Sequence, residues 1–518
     1  MNPPYRRTAS ATFFRSAALM LATASALFSG IAIAQQDEKQ TAPRQPSLWL
    51  EPRISVQHTV TSNARLDATN ISDQVTDVSP GFRLVSNTAR IKGFADYSLH
   101  DIHYAKEARS NQVLHSLNAS AVVEAVEQRA FIDVAGVVAS QPISVFGAPV
   151  DGSPANSNAS QTSSFLFSPY LRGRIGSMAD YEARYSVQDT HTDTAIRSGI
   201  TTQDWLLRVG RSKDGQTLGW SVDASHQTTD FSLGRRIDTA TLRGRLNYAA
   251  TPQLVLSGIG GAESTNQLSP TRESHSIVGV GAIWQPSERT RLSFDRERRY
   301  FGEAHNVGLE HRTGRTVWRY TDVSGISNGL GTQSASLGSL FDLLNGLYTQ
   351  LEPDPIRRTQ LVLAEIERLG LPANVQVFQD FLRSSSTVQR MQQLSLALLG
   401  QRSMVTLAVS RSDNRRLDGS LHLSDDFDTN TYIRQRGWSL LLAHRLTPNS
   451  SINASLGEQR SIGSAPGQEA RVRSLAFGLY TLLAYRTSGS LQLRRSLSDG
   501  LASPYTESAI IGTITHRF

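Results

Sequence analysis

From Leu48 onward the chain repeats one pattern: segments of roughly ten residues in which apolar and polar side chains alternate, separated by turn residues. In Met178–Gln188, Tyr181, Ala183, Tyr185 and Val187 share one face, and Glu182, Arg184 and Ser186 share the other. In Thr217–His226, Leu218, Trp220, Val222 and Ala224 oppose Gly219, Ser221, Asp223 and Ser225. In Thr290–Asp295, Leu292 and Phe294 oppose Arg291, Ser293 and Asp295. Successive strand residues point to opposite faces, so each segment is a ribbon between two different solvents. A soluble sandwich buries the apolar face, whereas a membrane barrel turns it outward to lipid. The alternation by itself fits both.

Two features favour the membrane. Arg6, Arg7 and Arg15 precede an apolar run that closes on the small-x-small triplet Ala32-Ile33-Ala34, the form of a secretory signal peptide over residues 1–34. Residues 35–46 then read as a linker. The last segment, Thr506–Phe518, alternates Ile510, Gly512, Ile514, His516 and Phe518 against Ala509, Ile511, Thr513, Thr515 and Arg517. A strand that closes a barrel has no free edge, and an aromatic such as Phe518 then sits at a membrane interface, where it also serves as a signal to the barrel-assembly machinery. After residue 34 no apolar run reaches the ~20 residues a spanning helix needs. The chain has no cysteine, so an exported protein of this kind must close itself by other bonds than disulfides. Removal of residues 1–34 takes away three arginines and no acid, lowering the formal charge from +7 to +4 over 484 residues.

The connections alternate in length. Short ones fall at 176–180, 213–216, 251–253, 285–290, 447–450 and 486–490, and longer ones at 189–199, 265–272, 412–432 and 461–469. Short turns on one side and long loops on the other is the asymmetry of outer-membrane barrels, with the turns periplasmic. The expected fold is all-β: a large antiparallel transmembrane β-barrel of about 22 strands. Barrel strands are assigned to 47–323 and 389–518, with a helical insert at 324–388 between them.

Within the insert, Leu340, Leu343, Leu344 and Leu347 recur at helical spacing. Asp354-Pro355 supplies an N-cap and a first-turn proline, Gly370 a stop and Pro372 a terminator. The apolar stripes need a partner, so the insert is expected to pack into the barrel mouth or lumen as a plug or cap. A solvated external hairpin is the alternative.

Leu340-Phe341-Asp342, Pro353-Asp354-Pro355-Ile356-Arg357-Arg358, Gly370-Leu371-Pro372 and Gln393–Asp413 resemble the PEP-CTERM system-associated outer membrane proteins, as does the opening Trp49–Ala64. The resemblance spans essentially the whole chain after residue 34, with the insert its most specific part. It implies an envelope barrel associated with exosortase sorting and exopolysaccharide gene clusters, and so a role in exopolysaccharide export or envelope assembly. It carries over no catalytic or binding residue. His516 departs from the aromatic usual two positions before a terminal Phe.

The chain has 48 Arg and only 4 Lys. Arginine pairs bidentately with carboxylates and phosphates. Because an arginine facing lipid at the midplane costs about 2–4 kcal/mol, charged faces are expected to line the lumen. On the alternation, Arg172, Arg174, Arg184, Arg208, Arg243, Arg245, Arg291 and Arg494 face inward, with Glu182, Asp223 and Asp295 on the same side. A net-basic lumen favours anionic solutes such as acidic polysaccharides; the alternative is that these arginines pair with lumen acids and hold the wall together. No spacing assembles a nucleophile, base and orienter, so neither an enzyme nor a cofactor is expected. Asp189, His191 and Asp193 read as a solvated loop rather than a metal site. Asp426, Asp428 and Asn430 mimic the start of a calcium loop but lack its sixth-position glycine and closing Glu. No nucleotide-binding pattern is present, and no nucleic acid partner is expected. The partners implied are outer-membrane lipid, the assembly machinery and an anionic polysaccharide. The functional readings are a pore or docking barrel for such a polymer, a sealed structural barrel that anchors partners and, with the least support, a barrel hydrolase.

Overall fold

The computed structural model describes residues 47–518, except 151–152, 154, 194–198, 212–216, 233–234, 328–343, 346–347, 349–351, 353–354, 370–380, 382, 384–385, 418–424 and 501–503. The proposed signal peptide and linker lie outside the described residues.

The described chain is a closed barrel of 22 antiparallel strands, β1 (Leu48–Thr61) to β22 (Tyr505–Arg517). Each strand pairs with its sequence neighbours, and β1 pairs with β22 from Arg53↔Arg517 to Thr61↔Ala509. That last pairing removes both free edges, leaving no row of unpaired N–H and C=O groups on the wall. At the seam, Phe518 N–H donates to Pro52 O (3.0 Å), and Ser62 N–H donates to Ser508 O (3.0 Å).

The strands run from 10 to 17 residues, longer than the segments legible in the sequence. β15 (Thr316–Ser327) and β16 (Thr387–Leu399) therefore extend into the insert expected at 324–388, leaving residues 328–386 between them. β7 (Ala179–Thr192) likewise carries Asp189 and His191 on a strand rather than on a loop. The reason is that the sheet continues above the apolar band, where polar residues on both faces hide the alternation.

Both rims follow from chain order. The turns at 88–90, 127–129, 176–178, 252–253, 288–289, 313–315, 400–402, 446–449 and 485–486 are two to four residues long and share a rim with the start of β1 and the end of β22. Two of them need a left-handed residue, at Gln128 (φ 55°) and Gly176 (φ 56°). The opposite rim carries the long connections, such as 62–72, 143–158, 328–386 and 417–431.

Face assignment is consistent around the wall. On β1, Leu50, Ile54, Val56 and Val60 are exposed, and they pair in register with β2 (Asp73–Asn87) and with exposed Ile510 and Ile514 on β22. These residues form the outward apolar band. The intervening Glu51, Arg53, Ser55, Gln57 and Thr59 face inward and are partly covered. Phe518 is 63% exposed, with the His516 ring edge-on at 4.9 Å, so the pair forms an aromatic tip at the short-turn rim.

Val56 sits at mid-band against Val78 and Ile514. Val56→Arg is expected to destabilise the barrel by about 2–4 kcal/mol, whereas the inward neighbour Gln57→Arg costs less than about 1 kcal/mol. Guanidinium titration of vesicle-refolded protein measures both, and equal effects would reverse the inside–outside assignment.

Candidate functional site: the barrel lumen

The eight inward arginines singled out from the sequence all fall on the lumen side of their strands by register. Seven of them rest on an acid or an aromatic ring. Arg184 bridges Asp133 (2.6 Å) and Glu182 (2.9 Å) and lies over the Tyr170 ring at 3.9 Å. Arg172 lies over the Phe131 ring at 4.1 Å. Arg174 approaches Asp180 (3.2 Å), and Arg208 pairs with Asp223 (2.6 Å). Arg243 reaches Glu297 (3.0 Å), Arg245 reaches Asp295 (2.8 Å), and Arg494 locks onto the buried Glu507 (2.7 Å). Arg291, at the short-turn end of β13 (Thr290–Arg299), is exposed and has no ion pair among the described residues.

Sequence reasoning missed further members of this lining. Arg53 and Arg83 converge on Asp96, Arg299 pairs with the buried Glu263, and Arg312 and Arg319 share Glu310. All but Arg312–Glu310 join different strands, and Arg53–Asp96 and Arg299–Glu263 reach across an intervening one, so only the folded sheet reveals them.

Arg243 and Arg245 stand on β10 (Ile237–Thr251), yet their acids stand on β13, three strands away. The intervening β11 (Leu254–Thr265) and β12 (Glu273–Ser287) present Gly261, Gly279 and Gly281 inward along that path. A Cβ on Gly281 would lie 2.3 Å from Asp295 Oδ1, and one on Gly279 would lie 2.7 Å from the Glu297 side chain. The glycines thus clear a channel along the wall in which long guanidinium arms lie flat. A cavity of about 330 Å³ opens beside it, lined in part by Arg243, Asp295, Glu297, Arg299 and Tyr300.

The insert enters this lumen. Its helix α1 (Pro355–Arg368) begins at the expected proline, which needs no N–H at that position. Val362, Ile366 and the following Leu369 form one stripe. With Leu344 they pack on Met404, Leu441 and Ala443. Those three are inward residues of β17 (Ser403–Arg416) and β18 (Tyr432–Arg445), close to the short turns. Ser451 Oγ donates to Arg368 O (3.0 Å), and Asn453 Nδ2 donates to Leu369 O (3.3 Å), satisfying carbonyls at the helix end. β15 ends at the long-loop rim, whereas the wall partners of α1 lie near the short turns, most of the barrel depth away. Of the residues picked out in the insert, Leu344 is buried; Leu340, Asp354 and Gly370 lie outside the described residues.

At the other end, loops fold inward over the mouth. Phe381, Phe427, Val145 and Phe146 form a buried cluster with Ile433 and Ala470, and Asp426 Oδ2 accepts from Val145 N–H (2.8 Å). Leu66 and Ala148 pack with Tyr505. The Asp426–Asn430 run that resembled an ion loop ties loops together instead: Asp426 takes the Val145 N–H, Asn430 Oδ1 accepts from Ala465 N–H (3.0 Å), and within the run Asn430 Nδ2 donates to Asp426 O (2.8 Å).

No protein-family model and no curated protein matches the chain. The iron transporter FrpB of Neisseria meningitidis (F5-1 variant, apoprotein form) matches with a TM-score of 0.51 at 10% identity, over 90% of this chain and 81% of that one. The chain has the fold of an outer-membrane β-barrel. The F3-3 variant of FrpB aligns over 90% of this chain and 81% of that one (TM-score 0.48, 11% identity), and OccK5 (OpdH) of Pseudomonas aeruginosa over 90% and 98% (TM-score 0.33, 9% identity).

Gly281→Val is expected to push Asp295 away from Arg245 and cost about 1.5–3 kcal/mol, the range for hydrogen bonds to charged groups. Gly258→Ala, outward and with nothing within 4 Å of the added Cβ, is the neutral control. Guanidinium midpoints compare the two.

Proposed function

We propose that the protein resides in the outer membrane of a Gram-negative envelope as a conduit or docking barrel for an anionic polymer, with the helical insert as its plug. The observation that carries this reading is the seat of α1. A helix of fourteen residues rests against an arginine-rich lumen, with Val362 and Ile366 in an apolar cluster on the wall and, among the described residues, wall side chains donating to the carbonyls of Arg368 and Leu369 at its C-terminal end. None of these contacts belongs to the strand pairing, so the helix can leave its seat while the hydrogen-bonded wall stays closed. The paired arginines shape the wall, and exposed Arg291 beside the short-turn rim adds unbalanced positive charge to the path. The resemblance to the PEP-CTERM system-associated outer membrane proteins makes an exopolysaccharide the polymer of choice and envelope export or assembly the setting. No bond is made or broken in this role: passage is governed by width, charge and displacement of α1.

A second reading has its own support. The lumen arginines are largely paired, and the mouth is covered by loops that bury Phe381 and Phe427. A sealed barrel whose loops anchor partners would look the same at rest.

Single-channel recording in planar bilayers separates the two. Replacement of Ser336–Ser385 by a short Gly-Ser linker is expected to raise conductance at least several-fold with preference for anions. The paired substitution Val362→Ser/Ile366→Ser is expected to increase opening events without changing the size of the open state. Silence from the linker variant would favour the sealed barrel, and cation preference would remove the arginine argument.

A further inference from the structure

The outer surface of the barrel carries a second set of arginines that the lumen does not use. On β17, β18, β19 (Ser450–Gly463) and β20 (Glu469–Ala484), Arg411, Arg436, Arg460 and Arg471 stand directly opposite one another in register. All four share a face with exposed lipid-side residues. Val409 (45% exposed) is two positions from Arg411, Trp438 (39%) two from Arg436, and Leu475 (48%) four from Arg471. They therefore point away from the lumen, just beyond the apolar band on the long-loop side. With strands about 4.8 Å apart, the row spans roughly 14 Å.

Like charges placed directly opposite on neighbouring strands destabilise a sheet. The flanking residues relieve only part of this. Arg411 pairs with Asp413 (2.7 Å), Arg460 with Glu469 (2.6 Å) and Arg471 with Glu458 (2.6 Å). Arg436, at the centre, is exposed and has no ion pair or hydrogen bond among the described residues. Asp413 and Glu458 are also shared with two further arginines, Arg434 and Arg473. The basic character is one-sided. At the same height, the strands β1 to β12 turn outward Asp101, Asp189 and Asp238 and no arginine.

We propose that this row is a binding site for the phosphorylated headgroup of a lipid in the surrounding leaflet. The position decides the occupant: acyl chains lying on Val409, Trp438 and Leu475 end where the guanidinium groups begin. The residue type agrees, since arginine forks pair bidentately with phosphate oxygens, and an anion between the forks cancels the repulsion that the sheet otherwise carries. The site is independent of the conduit reading, because it lies on the other face of the wall.

Native mass spectrometry of the detergent-purified barrel tests it, with the diphosphoryl and the dephosphorylated forms of one lipid A as probes. The diphosphoryl form is expected to remain bound, and Arg436→Gln/Arg460→Gln to reduce the bound fraction about tenfold. Arg211→Gln, outward at the opposite rim, is expected to leave it unchanged. Heat-modifiable migration in gels confirms that each variant is folded. Equal retention of the dephosphorylated lipid by the unsubstituted protein overturns the proposal without recourse to any variant. So does equal retention by the double variant, or displacement of the lipid by millimolar inorganic phosphate.

Discussion

The structure depends on one pairing, β1 with β22. In hydrocarbon there is no water to satisfy a backbone N–H or C=O, so an open 22-stranded sheet would carry two unaffordable edges. The register from Arg53↔Arg517 to Thr61↔Ala509 ends that problem for every strand at once. It also separates two solvents. Once the sheet is closed, the period-2 alternation becomes a radial separation, with Ile54, Val56, Ile510 and Ile514 outside and Ser55, Gln57, Thr513 and Thr515 inside.

A circle of 22 strands encloses more space than wall side chains can fill. This chain fills it in three ways. Arginines lie along the wall and cross strands to their acids, with Gly279 and Gly281 keeping the track open. The insert lowers α1 to the short-turn end, and loops around Phe381 and Phe427 cover the mouth. The preference for arginine over lysine follows from this geometry: a planar fork on a long arm can bridge two carboxylates, as Arg184 bridges Asp133 and Glu182.

The places where sequence reasoning fell short share a cause. Charged residues were expected to face water inside, and on β13 that holds for Arg291, Asp295 and Glu297. The same strand then turns Arg296 and Arg298 outward opposite Val280 and Val278. Outward arginines become acceptable once the strand has risen past the apolar band, and the depth at which that happens is not a property of any local window. Strand ends were underestimated at β7 and β15 for the same reason. The run near Asp426 read only as an incomplete ion loop, because its partner, Val145, is distant in sequence.

Sequence alone determined the local code: alternation that makes ribbons, turns short on one rim and long on the other, a strand count near 22, and a helix opening at Pro355. Each of these is set by neighbours within a few residues, through strand pleat, turn chemistry and helix capping. Tertiary structure decided what closure alone can fix. It chose which acid each arginine meets, seated Val362 and Ile366 on Met404 and Leu441, and aligned Arg411, Arg436, Arg460 and Arg471 into one row. Those are relations between strands, and register exists only after the sheet has formed.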